Sequence, residues 1–219
     1  MGGLLVLLLP EIIGLMVTPG AVIGCVLLLR SRDPVRNASM FGLGFLVVYA
    51  IIALAACLGG APDPAATTAH TSHAAGLVVG LIFLGLGAFM LVRPRPQTDE
   101  QPRVLAELAD AGPRKAFAMG LVLGVLNPNL FIMLSGMSVI ASSAVGLAAA
   151  LLATVILLVA AVADFLIPIG IYLAVGERAD QGLAAAQAWM LRNSRLLTLS
   201  VLLGFGALFT LRGVVSLAG

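Results

Sequence analysis

The sequence predicts an all-α integral membrane protein of six transmembrane helices, built as two inverted three-helix repeats in which helices 1 and 4 are broken at TPG and NPN. Three observations carry this. The chain is 61% hydrophobic and 10% charged, with a mean hydropathy of +1.13, far from the balance of a domain that folds in water. Six continuous apolar runs approach or exceed the about 20 residues needed to cross a hydrocarbon core of about 30 Å. A proline between polar or small residues then falls at matching places in the first and fourth runs. A membrane barrel is excluded, because it requires short alternating strands rather than continuous runs. One transmembrane domain thus fills residues 1–219, with repeat 1 over about 1–92, a cytoplasmic loop over about 93–115 and repeat 2 over about 116–219.

The first run, Leu4 to Leu29, opens on MGGLLVLLLP, which lacks the basic n-region of a secretory signal and continues past the usual apolar length, so it reads as a retained helix. The second spans Ala38 to Leu58 and the third Gly76 to Val92. Between those two, His70 and His73 have the spacing of a two-histidine clip. Two ligands do not close a metal site, and no metal is expected. The stretch RVLAELADAGPRKA from Arg103 places Val104, Leu105, Leu108 and Ala111 on one helical face that can lie on the inner leaflet, and Gly112-Pro113 ends it. The fourth run is Phe117 to Ala141, the fifth Gly146 to Val175 and the sixth Leu196 to Leu217. Before the sixth, GLAAAQAWMLRNSR carries Trp189 and basic residues in the pattern of an interfacial anchor.

Lysine and arginine set the orientation. Arg30, Arg32 and Arg36 follow the first run; Arg93, Arg95, Arg103, Arg114 and Lys115 follow the third; Arg178, Arg192 and Arg195 follow the fifth. Eleven basic residues therefore lie on one side against Arg212 on the other, which puts both termini outside the cytoplasm of a plasma-membrane protein. The charges are topology signals, and no nucleic-acid partner is expected. Cys25 and Cys57 fall near opposite ends of their helices, beyond the about 7 Å Cα limit of a disulfide, so two free, buried thiols are expected. Tyr49 and Tyr172 read as packing or interfacial residues.

Sliding the chain on itself by 109 residues lays Thr18-Pro19-Gly20 over Asn127-Pro128-Asn129. A unit of three spans inverts the next unit. Interrupted helices at equivalent positions of inverted halves point to a transporter binding site. Proline removes an N–H and clashes with the carbonyl one turn earlier, freeing groups that lipid cannot satisfy. The Asn127 and Asn129 carboxamides and the Thr18 hydroxyl can meet them, while Gly20 permits close approach of backbone or ligand. The competing reading is a structural kink held by interhelical hydrogen bonds.

TPG and NPN on a six-helix chain of this length resemble the LysE-type exporter superfamily, whose members carry a TPGP-like motif and a later NP motif. The first helix reads TPGAV where amino-acid exporters have a second proline and an asparagine, and NPN stands in place of NPK. The Ala-, Gly- and Leu-rich style and long cytoplasmic loop are more similar to the actinobacterial GAP branch, the glycolipid- or sulfolipid-addressing proteins. That resemblance implies movement of a cell-envelope glycolipid or another small amphiphile across the inner membrane.

Two acids lie inside predicted spans. Asp164 costs about 2.5–3.5 kcal/mol to insert at a helix centre, so it should face the bundle interior and is a candidate for proton coupling or substrate contact. Alternatively, it satisfies backbone N–H groups loosened by Pro168. Glu11, the second candidate for proton coupling, follows Pro10 about 10 Å from the outer end of its helix and either lines an exit path or reaches headgroup water. The pairs Gly20/Gly24, Gly76/Gly80 and Gly120/Gly124 give GxxxG spacing, which serves intramolecular crossings as readily as a homodimer. No nucleotide loop or nucleophile–base pattern appears, so neither an enzyme nor a cofactor is expected. The expected partners are membrane lipid and a lipid-like or small-molecule substrate. Open alternatives are export of amino acids or other small solutes, and a non-transporting adaptor for a lipid pump or synthase.

Overall fold

The structure, a computed structural model, describes residues 2–16, 18–59, 69–92, 111–143 and 145–218. The predicted amphipathic stretch from Arg103 to Asp110 lies outside them, as do the side chains of His70 and His73. Among the described residues the chain is helical, without strands: α1 (Gly2–Leu15), α2 (Pro19–Leu29), α3 (Pro34–Gly59), α4 (Ala69–Val92), α5 (Pro113–Leu126), α6 (Asn129–Ser142), α7 (Leu147–Val175) and α8 (Ala179–Ala218). Prolines open α2, α3 and α5, where the missing N–H has no intrahelical partner to lose.

The two expected breaks are present. The α1 and α2 axes bend by 53°, and α5 and α6 by 67° at Asn127. Three helices, α3, α7 and α8, are long and apolar enough to cross a membrane alone; taking each bent pair as one span makes five. The chain is a multi-pass membrane protein. The remaining helix, α4, runs for 24 residues, with its described apolar portion over Gly80–Val92.

Glycines seat the helices. At Gly120 an added Cβ would stand 2.2 Å from the Phe41 carbonyl oxygen, and at Gly44 2.4 Å from that of Phe117, so α3 and α5 cross with their backbones in contact. Along α4 and α8, Gly80 faces Thr210 and Gly206 faces Leu84 in the same way. The GxxxG positions Gly80, Gly120 and Gly124 are thus used inside the chain. Gly20 is not: it is exposed, with open space where a Cβ would go. Among the described residues no neighbouring backbone approaches it.

The segment from Gly182 to Arg195 is the first part of α8, a continuous helix of 40 residues. A three-residue 3-10 turn, Gly176–Arg178, with Gly176 at φ 64°, makes the preceding reversal. Both cysteines are free, but only Cys25 is buried; Cys57 is exposed.

The core runs through the whole bundle, and one of its aromatic clusters lies where α3 meets α7. Phe41 and Phe45 pack against Phe165 with ring centroids 5.5 and 4.9 Å apart, and Tyr49, almost wholly buried, stacks on Phe45. This cluster fixes the turn of α7 that carries Asp164.

Candidate functional site

The break between α1 and α2 leaves Thr18 as a linker residue ahead of Pro19. Its side chain does not cap α2; it lies 3.4 Å from the Leu15 carbonyl at the end of α1. At the second break, the Asn127 side-chain oxygen accepts the backbone N–H of Asn129 at 3.0 Å, a local turn that redirects the chain around Pro128 into α6.

The two breaks then meet. Asn129 is buried and its carboxamide nitrogen donates to the Gly14 carbonyl at 3.1 Å and to the Thr18 hydroxyl at 2.6 Å. One side chain of the second broken span thereby satisfies two acceptors of the first. Gly14 also seats α1 against α8: an added Cβ would fall 2.1 Å from the ring of Phe205.

Asp164 completes the cluster from α7. It is 5% exposed, and both the hydroxyl and the backbone of Thr18 are hydrogen-bonding neighbours of its carboxyl. Its second oxygen, Oδ2, is buried without a partner. Among the described residues it forms no ion pair. Pro168 deprives the Asp164 carbonyl of its helical donor. Yet α7 continues through Pro168, and the Asp164 side chain engages the linker of the first half. The Thr18 hydroxyl therefore faces three groups: the Asn129 donor and two acceptors, Leu15 O and Asp164.

Of the predicted site residues, the structure brings together Thr18, Asn127, Asn129 and Asp164, with Pro19 and Pro128 shaping the two turns. Gly20, next to Pro19, leaves open space where a Cβ would go. Of the two alternatives for Glu11, headgroup water is the one the structure does not show: the side chain is fully buried, and its Oε1 accepts from Arg212 Nη1 at 2.6 Å and from Ser135 Oγ at 3.2 Å. Arg212 also donates to the Leu7 carbonyl at 3.2 Å. Sequence reasoning missed Gly14, Ser135 and the pairing role of Arg212. The available signal was a lone arginine inside the last apolar run on the same side as a lone glutamate in the first.

Chemically, the break cluster offers amide, hydroxyl and carboxyl groups inside an apolar bundle, and nothing in it resembles an activated nucleophile. Among the described residues no group of acidic, histidine and cysteine side chains is placed to hold a metal ion. No curated protein and no solved structure matches the chain. Residues 8–215 match the family model SfLAP, described as Sap, sulfolipid-1-addressing protein, and with nearly its whole length covered the chain belongs to that family.

Proposed function

We propose that the protein is a secondary transporter that exports a small amphiphile, a cell-envelope glycolipid or its precursor, across the plasma membrane. The observation that carries this reading is the Asn129 carboxamide joining the two helix breaks, because interrupted helices that meet in mid-bundle are built around substrate and ion sites. The family description, a sulfolipid-addressing protein, supports a lipid as the cargo. In this reading α4 supplies the sixth span and the halves are inverted repeats. Thr18, Pro19, Gly20, Asn127, Pro128 and Asn129 form the substrate site, and Asp164 exchanges a proton as the site alternates between dry and hydrated states. The protein performs no covalent chemistry and needs no cofactor.

The test is transport by purified protein in liposomes. A labelled glycolipid should cross the bilayer without any second protein, and dependence on an added pump or synthase would instead identify an adaptor. Orientation is tested separately. A cysteine at Thr71 should react with an impermeant thiol reagent outside whole cells and one at Thr98 should not; the reverse pattern would overturn the outward-facing termini.

A further inference from the structure

A second polar cluster lies on the outer side of the helix breaks. On α1, Glu11 precedes Gly14 by less than one turn; on α6, Ser135 follows Asn129 by six residues. The Glu11 carboxylate therefore sits about 5–9 Å outward of the break cluster. It accepts from Ser135 on α6 and from Arg212 on α8, so one carboxylate ties together the outer halves of both broken spans and the last helix. At the level of the Glu11 stem, Gly136 faces Leu157, which closes that level with apolar atoms.

Two details set this cluster apart from a structural ion pair. Glu11 is 0% exposed while Arg212 is 38% exposed, so the cation stands at the edge and can leave, whereas the anion cannot. Glu11 Oε2 is buried with no partner, although buried polar atoms are almost always satisfied. A buried carboxylate bonded through one oxygen is held by Arg212, and it has a free position for a proton.

We propose that Glu11, Ser135 and Arg212 form the outer gate of the transport pathway, which closes the break cluster while Glu11 is charged and opens when Glu11 is protonated from the outer side. This rests on the transporter reading. A proton from outer water adds to the free Oε2, the carboxylate becomes a neutral carboxylic acid, and Arg212 keeps its own charge and swings to water or lipid phosphate. The tie between α1, α6 and α8 is then lost. The other charged and titratable groups on the elements around Glu11 are few. The described α6 carries no ionisable side chain, α7 brings Asp164 and Tyr172, and α8 brings Arg212, with Arg192, Arg195 and Asp180 toward its far end.

The experiment measures access to the break from outside, independently of lipid movement. In full-length protein carrying Cys25→Ala, Cys57→Ala and Thr18→Cys, an impermeant methanethiosulfonate reagent is applied from the outer side as external pH is lowered. Rates are scaled to a cysteine at Thr71, because acid depletes the reactive thiolate at both positions. The scaled rate should rise at least about fivefold on acidification, the lower bound of a typical coupling between two sites. Glu11→Gln should make labelling fast and independent of pH, and Arg212→Gln should raise it at neutral pH. A scaled rate that ignores pH in the parent, or that stays slow and pH-dependent in Glu11→Gln, overturns the gate. Glycolipid movement in liposomes is a separate readout: gating without movement sinks the transporter reading, and movement without gating sinks this one. If Arg212→Gln fails to insert, the unsubstituted Glu11–Arg212 pair under acidification still decides.

Discussion

The bundle holds two buried carboxyl groups in opposite arrangements. Glu11 is paired with a guanidinium and tied to three helices through one oxygen; Asp164 meets only the hydroxyl and backbone of Thr18 and has no cation beside it among the described residues. A compensated carboxylate can stay charged in a low-dielectric interior and act as a fastener. An uncompensated one has no such anchor and is left open to engage a substrate or a proton. Burial alone therefore does not assign a role to an acid in a membrane. Its partner does.

The largest effect that tests this contrast is functional. Asp164→Asn keeps shape and most hydrogen bonding but cannot titrate, so it should insert, retain substrate binding and lose pH-dependent transport by at least about tenfold, as for a general proton-transfer group. Near-normal, still pH-dependent glycolipid movement in liposomes would make Asp164 a structural residue and leave Glu11 as the remaining intramembrane candidate for proton coupling. Next comes stability. Arg212→Ala leaves Glu11 buried and uncompensated, and should cost about 3 kcal/mol, the low end for a broken buried pair because Arg212 is partly exposed. Denaturant titration in detergent reads this, and the double variant Glu11→Gln/Arg212→Met should recover most of the loss. Asn129→Ala removes both bonds between the breaks and should cost about 1–2 kcal/mol in the same titration, with the orphaned Gly14 carbonyl adding to the loss. Smallest is Ser135→Ala, at about 0.5–1 kcal/mol, since Arg212 continues to hold Glu11. Equal losses for Ser135→Ala and Arg212→Ala would mean that the charge contributes nothing beyond a hydrogen bond.

The breaks were legible in the sequence because proline acts locally: Pro19 and Pro128 forbid a continuous helix whatever surrounds them. Their meeting was legible through the matched spacing of TPG and NPN. The Glu11–Arg212 pair was not, since its members are 201 residues apart and Arg212 was fully accounted for as a topology signal. The continuity of α8 was missed for a different reason. Gln187, Arg192, Asn193 and Arg195 lower the hydropathy of the segment, but its Ala, Leu, Met, Gln and Arg content favours helix, and polarity marks the edge of the membrane rather than the end of a helix. Gly20 was assigned a packing role on spacing alone, and only the position of neighbouring helices shows that nothing approaches it.

That long helix makes the two faces of the protein mechanically dependent. Near its middle, the Arg195 guanidinium grips the Met90 and Leu91 carbonyls at the end of α4; seventeen residues later Arg212 holds Glu11. A straight helix places those two grips about 25 Å apart on one rigid rod. With Gly80 and Gly206 pressing α4 flat against that rod, tilting it as a lever about this seat would displace its two arms in opposite senses, so that a disturbance at the Trp189 arm would be felt at the Glu11–Arg212 pair without any chain of intermediate side chains.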